Sequence, residues 1–472
     1  MFDYPYTSAI DLRQAITSRQ VSPVEVMRQC LERAHSLEPQ LNCFVTLTPE
    51  EAMGAAARAE KAVLEGEPLG PLHGIPMSVK DLIAMGGVKQ TFGSRTMALN
   101  IAAADAPAVQ RIKAAGACII GKTTTTELGC KGGGPSPLTG VTRNPWDLSK
   151  TPGGSSLGAA SSVAAGVTPF ALGTDGGGSI RLPSSFCGLF GIKAQFGRVP
   201  VFPAAATPTL AHVGPLARTV RDAALLLGVI SGHDRRDPFS VAGAVPDYLG
   251  ACDLPVKGLR IAWSATLGYG KPQPDVLLAC EQAVQVLQGL GCEVMQWDAH
   301  SAQDPLDLWM AEFYAGVGTR LKATLQGAKD LLDPAVARML EPALHQTLED
   351  YYSKVFRRYE LRETMRAKFE AIDLLITPTT PCPAFDAGAD APPSNTGSAE
   401  NIIAWMAYTY PFNLTGQPAA SVPVGFTAAG LPIGLQMVAK INHEVDIFRA
   451  AAALESAQPW AQARPALPGL AV

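Results

Sequence analysis

Three glycines stand directly before a serine in the stretch LGTDGGGSIRLPSS, residues 172–185. Backbone N–H groups that no side chain obstructs can stabilise a developing oxyanion. The sequence therefore offers Gly176, Gly177 and Gly178 as an oxyanion cradle and Ser179 as a nucleophile. A flexible loop with a solvent-facing serine is the alternative. A phosphate-binding loop is a third reading, but neither GxGxxG nor GxxxxGK[ST] occurs here.

A serine nucleophile needs a base, and histidine is the usual one. The seven histidines stand in no local nucleophile signature, and the chain has no GxSxG elbow. Another candidate is Lys80 in the apolar, strand-like stretch IPMSVKDLI, where a surface lysine is not expected. Burial would lower its pKa from about 10.4 and favour the neutral amine, whereas Asp81 would oppose this if it faced the ammonium. From these residues alone, a histidine triad and a lysine base both remain open.

The elements around these residues alternate between helices and short apolar runs. DAPAVQRIKAAG reads as a helix, ACIIG as a buried strand, SSLGAASSVAAG as a helix of small residues and TPFALGT as another buried strand. This order predicts an α/β layer arrangement with a parallel or mixed sheet. We find no internal repeat or clean break in composition. The simplest organisation is one domain over residues 1–472 with a helical, aromatic excursion at about 301–372.

Composition limits the function. The net charge of -4 gives no basic footprint for nucleic acid. No apolar run approaches the roughly 20 residues of a membrane span, and the first residues do not resemble a secretory signal. The nine cysteines are scattered without CxxC spacing, which is typical of reduced thiols and not of a zinc site. These observations predict a cytoplasmic protein that acts on a small molecule and leave a homo-oligomer open.

Several ordered motifs together resemble the amidase signature family. They include GPLHGIPMSVKDLI, KTPGGSSLGAASSVAAG, GTDGGGSIRLPSSFCGLFGIK and HVGPLARTVRDAA, and the most specific part spans residues 70–199. The resemblance implies a single α/β/α domain with a twisted, mixed β-sheet core flanked by helices. It also implies a Ser-cisSer-Lys triad without metal or organic cofactor. By position in the motifs, Ser179 matches the nucleophile, Ser155 the serine beside a non-proline cis peptide and Lys80 the base.

The implied mechanism passes a proton from Ser179 through Ser155 to neutral Lys80 while the loop N–H groups hold the oxyanion. We therefore expect a cofactor-free serine hydrolase that cleaves the C–N bond of amides through an acyl-enzyme. The glycine-rich segment GCKGGGPSPLTG, expected near the site, predicts open space for a bulky acyl group. The excursion at 301–372 predicts an apolar pocket wall or lid. Together these features favour apolar or aryl substrates.

Other functions stay open at this stage. Members of the family also cleave esters, carbamates and ureas, so a urethane-type bond is an alternative. A different class is the amidase component of a tRNA-dependent amidotransferase complex, against which the lack of a basic surface and the divergent loop GIKAQFGRV argue. A catalytically dead scaffold is a further alternative that the intact triad disfavours. Leu157 and the pair Ala194 and Gln195 depart from the family pattern and bear on substrate choice. We expect Asp175 and Arg181 to anchor the glycine loop.

Overall fold

The computed structural model describes residues 4–299, 302–395 and 399–467. Within these ranges, eleven strands form one sheet in the order β1-β3-β2-β4-β6-β5-β10-β11-β9-β7-β8. The strands are β1 Phe44–Leu47, β2 Pro76–Lys80, β3 Cys118–Thr123, β4 Phe170–Asp175, β5 Phe190–Lys193, β6 His212–Ala217, β7 Arg260–Trp263, β8 Glu293–Gln296, β9 Leu374–Pro378, β10 Ala419–Phe426 and β11 Pro432–Ala439.

The sheet is mixed. Strand β2 pairs in parallel with β3 and β4, while β4 pairs antiparallel with β6. Every residue of β2 and β3 is buried, because helices cover both faces of this part of the sheet. This explains why the strands read in the sequence as short continuous apolar runs. The prediction of an α/β fold around a mixed sheet is confirmed.

Sixteen α-helices of the described residues flank the sheet. They are α1 Ala9–Thr17, α2 Pro23–Leu41, α3 Pro49–Glu65, α4 Pro107–Ala114, α5 Leu157–Ala164, α6 Arg181–Cys187, α7 Val220–Ile230, α8 Tyr248–Ala251, α9 Pro274–Gly289, α10 Leu306–Arg320, α11 Lys322–Gly327, α12 Pro334–Ala343, α13 Leu348–Lys368, α14 Ala399–Ala404, α15 Pro411–Leu414 and α16 Glu444–Ala457. Across the described ranges, no helix combines the length and the apolar character that a membrane crossing requires.

Helices α10 to α13, residues 306–368, are called the helical segment below. They lie between β8 and β9, where the sequence predicts the helical excursion, whose first residue Ser301 is outside the described residues. The helical segment contributes many residues to a second apolar cluster, including Trp309, Phe313 and Leu340. Leu182 of α6 belongs to the same cluster. The helical segment is thus packed against the helix that follows the glycine loop.

Candidate active site

Lys80 is the last residue of β2, and its side chain is fully buried. Three hydroxyl oxygens surround its Nζ: Ser155 Oγ at 2.7 Å, Ser156 Oγ at 2.9 Å and Thr174 Oγ1 at 2.8 Å. A neutral amine has two hydrogens to donate and one lone pair to accept with. Three hydroxyl oxygens also match the three N–H bonds of an ammonium, so the surroundings of the amine decide its charge.

The surroundings of Lys80 favour this neutral form. Burial lowers the pKa of Lys80 well below its ordinary value, and the negative charge of Asp175 offsets this only in part. Asp81 does not face the amine. Its carboxylate instead pairs with Lys122 at 3.1 Å and accepts a hydrogen bond from Thr91. The structure thus resolves the question that Asp81 raises in the sequence.

Ser155 lies at the entrance to α5, and the peptide bond between Gly154 and Ser155 is cis. The resemblance implies a non-proline cis peptide beside this serine. The Gly154 N–H donates to the carbonyl oxygen of Gly132 at 2.7 Å, which ties this turn to the neighbouring loop. The Ser155 hydroxyl contacts the Lys80 amine, and Ser155 also lines a cavity.

That cavity has a volume of about 290 Å³, and both Ser155 and Ser179 line it. Ser179 is buried, with 7% of its surface exposed. Most of the remaining wall is apolar, from Leu128, Val201, Phe202, Phe313, Val317 and Leu321. Phe313, Val317 and Leu321 belong to the helical segment, for which the sequence predicts an apolar pocket wall or lid. The cavity thus has Ser155 and Ser179 in a largely apolar wall, with the buried amine of Lys80 in contact with Ser155.

The three glycines of the loop differ in their hydrogen bonds. The Gly178 N–H donates to Asp175 Oδ1 at 2.8 Å. The N–H groups of Gly176 and Gly177 have no hydrogen-bond partner in residues 4–299, 302–395 and 399–467. Two of the three predicted oxyanion donors are therefore unoccupied, while the third holds the loop in shape.

A buried ion pair supports the loop from behind. Arg181 donates to both carboxylate oxygens of Asp175, at 3.0 and 2.9 Å, and reaches Gln436 Oε1 at 2.8 Å. Asn413 Nδ2 adds a hydrogen bond to Asp175 Oδ1 at 2.9 Å. Burial opposes ionisation of Asp175, but Arg181 outweighs it and holds the pKa of this carboxyl well below its ordinary range. The expected anchoring of the loop by Asp175 and Arg181 is what the structure shows.

His212 is the one histidine among the described residues that lines the cavity, and His300 lies outside those residues. The Nδ1 of His212 lies 2.8 Å from the carbonyl oxygen of Leu210, so Nδ1 carries the hydrogen. Burial and the neighbouring Lys193 lower the pKa of His212 well below its ordinary value. Among the described residues the Ser179 hydroxyl has no hydrogen bond to a histidine or to Ser155, and Lys80 is the candidate base that contacts a serine of the cavity, Ser155.

The open space predicted for the segment GCKGGGPSPLTG is absent, and that prediction is wrong. A Cβ at Gly132 would lie 2.7 Å from the Trp405 ring, and one at Gly133 would lie 2.9 Å from the Phe385 ring. These glycines are needed because aromatic rings pack directly on the backbone. Only Gly129 of this segment lines the cavity.

Sequence reasoning missed several residues of the site. Ser156 and Thr174 lie within the quoted motifs, so their proximity to Lys80 was within reach of the sequence. The residues that hold the glycine loop from outside carry no local signal, because they stand far away along the chain: Trp309, Thr409, Asn413 and Gln436.

Comparisons with known proteins agree with this fold. Residues 25–448 match the family model described as Amidase. The chain is 35% identical over 465 residues to the acylamidase of Rhodococcus erythropolis, covering 98% of this chain and 97% of the relative. It is 34% identical over 479 residues to one subunit of the glutamyl-tRNA(Gln) amidotransferase of Geobacter metallireducens, covering 95% and 97%. A crystal structure of a bacterial aryl acylamidase of the amidase signature family superposes with a TM-score of 0.92 at 30% identity, covering 98% of each chain.

The fold, the site and these relatives define an enzyme that hydrolyses amides. The chain belongs to the amidase signature family.

Proposed function

We propose that this amidase is a cofactor-free serine hydrolase whose triad is Lys80, Ser155 and Ser179. The observation that carries the proposal is the contact of 2.7 Å between Lys80 Nζ and Ser155 Oγ beside the cavity that Ser155 shares with Ser179. The depressed pKa of Lys80 supports its role as the base. The nine cysteines are buried and unpaired, which suits a reducing compartment, and we place the enzyme in the cytoplasm.

In the proposed reaction, neutral Lys80 takes the proton of Ser155 as Ser155 takes the proton of Ser179. Ser179 Oγ attacks the carbonyl carbon, and the N–H groups of Gly176 and Gly177 stabilise the oxyanion. The proton then returns through Ser155 to the leaving nitrogen, and the C–N bond breaks to give an acyl-enzyme. Water repeats the sequence on the ester and releases the acid.

The preferred substrates are amides with an apolar or aryl group. The apolar wall of the cavity supports this preference, because the transfer of a large apolar group from water into an apolar cavity is favourable. The similarity to an acylamidase and to an aryl acylamidase points the same way. Carbamates and esters of the same shape are the alternative substrates, since attack by Ser179 is the same for each.

The test measures release of p-nitroaniline and p-nitrophenol from matched apolar, aryl and polar acyl anilides, esters and carbamates. We expect wild type to prefer apolar or aryl anilides and Ser179→Ala or Lys80→Ala to lose on the order of 10⁴-fold or more in kcat. Ser185→Ala is the matched control, because this buried serine of α6 contacts Thr380 and not the triad. Full turnover by Ser179→Ala would overturn the proposal, and faster carbamate turnover would change the substrate class.

The similarity to a glutamyl-tRNA(Gln) amidotransferase component supports a second candidate, release of ammonia from glutamine within a complex. The apolar cavity argues against it, because a glutamine side chain and its charged backbone groups would find few polar partners there. Glutaminase activity of the isolated chain, with and without the other components of a tRNA-dependent amidotransferase, separates the two. Glutamine hydrolysis that requires a partner, together with an inert anilide panel, would favour a role within such a complex.

A further inference from the structure

The carbonyl groups of Gly176 and Gly177 accept hydrogen bonds from residues that are distant along the chain. The carbonyl oxygen of Gly176 accepts from the indole Nε1 of Trp309 at 2.8 Å, and that of Gly177 accepts from Thr409 Oγ1 at 2.6 Å. Trp309 belongs to α10 of the helical segment. Part of the helical segment therefore bonds directly to the backbone in front of Ser179.

The contact with Trp309 fixes the orientation of one peptide group. In a trans peptide, the carbonyl of one residue and the N–H of the next point in opposite directions. When the Gly176 carbonyl is held toward Trp309, the Gly177 N–H must point away from Trp309. Trp309 is not part of the cavity wall, and the Gly177 N–H has no partner among the described residues. This N–H belongs to a loop whose Gly176 and Ser179 line the cavity.

The indole is itself held in place. Trp309 is 2% exposed and stacks on Phe313 with ring centroids 4.6 Å apart and on Tyr410 with centroids 5.8 Å apart. A Cβ at Gly177 would lie 2.6 Å from Trp309 Cζ2, and one at Gly176 would lie 2.8 Å from Phe313 Cε2. The two glycines are thus required because these rings pack directly on the loop backbone.

We propose that Trp309 is a positioning residue for the oxyanion site, and that its indole N–H holds the peptide between Gly176 and Gly177 in the orientation that catalysis needs. The inference rests on the proposed function, in which these loop N–H groups stabilise the oxyanion. In this proposal the helical segment does more than line the cavity, because Trp309 also affects the rate of the reaction. A donor held ready in this way need not reorganise as the oxyanion forms.

The proposal makes a kinetic distinction. The oxyanion exists in the transition state and not in the bound substrate, so loss of its support lowers kcat and leaves KM unchanged. A substitution that merely loosened the cavity wall would raise KM as well. Because such a loss acts on the bound substrate and the transition state alike, the split between kcat and KM separates the two cases.

The decisive variant is Trp309→Phe, which keeps an aromatic ring and removes the N–H. We expect kcat to fall by roughly tenfold to a hundredfold, somewhat less than the loss of an oxyanion donor itself, with KM within about twofold. An aryl trifluoromethyl ketone, which forms a tetrahedral adduct with a nucleophilic serine, should lose affinity by the same factor as kcat/KM. Incorporation of 3-benzothienylalanine at position 309 keeps the bicyclic shape, lacks the N–H and should give the same result.

The matched control is Tyr314→Phe. Tyr314 also lies buried on α10 and donates to a backbone carbonyl, that of Cys130 at 3.1 Å, but it does not contact the glycine loop. We expect this variant to keep the wild-type kcat. Equal losses in both variants, a benzothienylalanine enzyme with wild-type kcat, or an unchanged ketone affinity would overturn the proposal. Full activity of Ser179→Ala would instead remove the proposed function on which it rests.

Discussion

Helices α5 and α6 are completely buried, whereas helix α13 lies at the surface. Every residue of α5 and of α6 is buried, whereas none of the 21 residues of α13 is. The small side chains of α5 allow close packing, and a Cβ at Gly158 would clash with the carbonyl oxygen of Cys43. α13 instead exposes aromatic side chains, including Phe356 at 62% and Tyr359 at 64%. Substitutions should therefore be costly around the triad and cheap on the outer face of α13.

The largest expected effect lies behind the glycine loop. Arg181→Met leaves the carboxylate of Asp175 buried without its ion-pair partner, which costs about 3–5 kcal/mol of stability. We expect a large fall in the thermal unfolding temperature and loss of activity. Differential scanning calorimetry and anilide hydrolysis measure the two. Wild-type stability in this variant would mean that the buried ion pair does not hold the loop.

The second effect concerns pH. Lys80 must be neutral to accept a proton, so kcat/KM rises with pH through its pKa and falls about tenfold per unit below it. Because burial lowers this pKa, the rise should be complete well below the pH at which an ordinary lysine loses its proton. Thr174→Val removes an oxygen that stabilises the ammonium and should move the rise to lower pH. A rise centred near the ordinary lysine value would contradict a buried, neutral Lys80.

A smaller effect is expected where the helical segment borders the cavity. Phe313→Ala removes a ring from the wall and enlarges the cavity. The ratio of kcat/KM for a bulky acyl anilide to that for a small one should therefore rise by roughly tenfold. Phe369→Ala is the control, because this ring is buried outside the cavity. Both variants should lose stability, but only the first should change the ratio. An unchanged ratio would place the bulky group elsewhere in the cavity.

The smallest effect is expected on the exposed face of α13. Phe356→Ser should change the free energy of unfolding by no more than about 0.5 kcal/mol, because its side chain is already largely in water. Anilide hydrolysis should equal that of wild type. Urea denaturation gives the comparison. A fall of several kcal/mol, or a change in oligomeric state, would show that another surface covers this face.

The same contrast explains what the sequence could predict. The α/β fold followed from short apolar runs between helices, and Lys80, Ser155 and Ser179 stood out because each lies within a contiguous motif. The structure puts Ser155 against Lys80 and in one cavity with Ser179. Trp309 gave no such signal, since a tryptophan in an aromatic helix reads as ordinary core. The space near Gly132 and Gly133 was misjudged because glycine also marks places where a ring packs on the backbone.

The order of the strands limits how early the complete sheet can form during synthesis of the chain. Strands β10 and β11 come last along the chain, yet they lie between β5 and β9. Until the ribosome has released them, the sheet can exist only as two parts with open edges at β5 and β9. Such edges invite pairing with other chains, and long-range contacts of this kind form slowly. Arg181 also bonds to Gln436 on β11, so a nascent chain can complete the hydrogen bonds behind the glycine loop only after β11 has been synthesised.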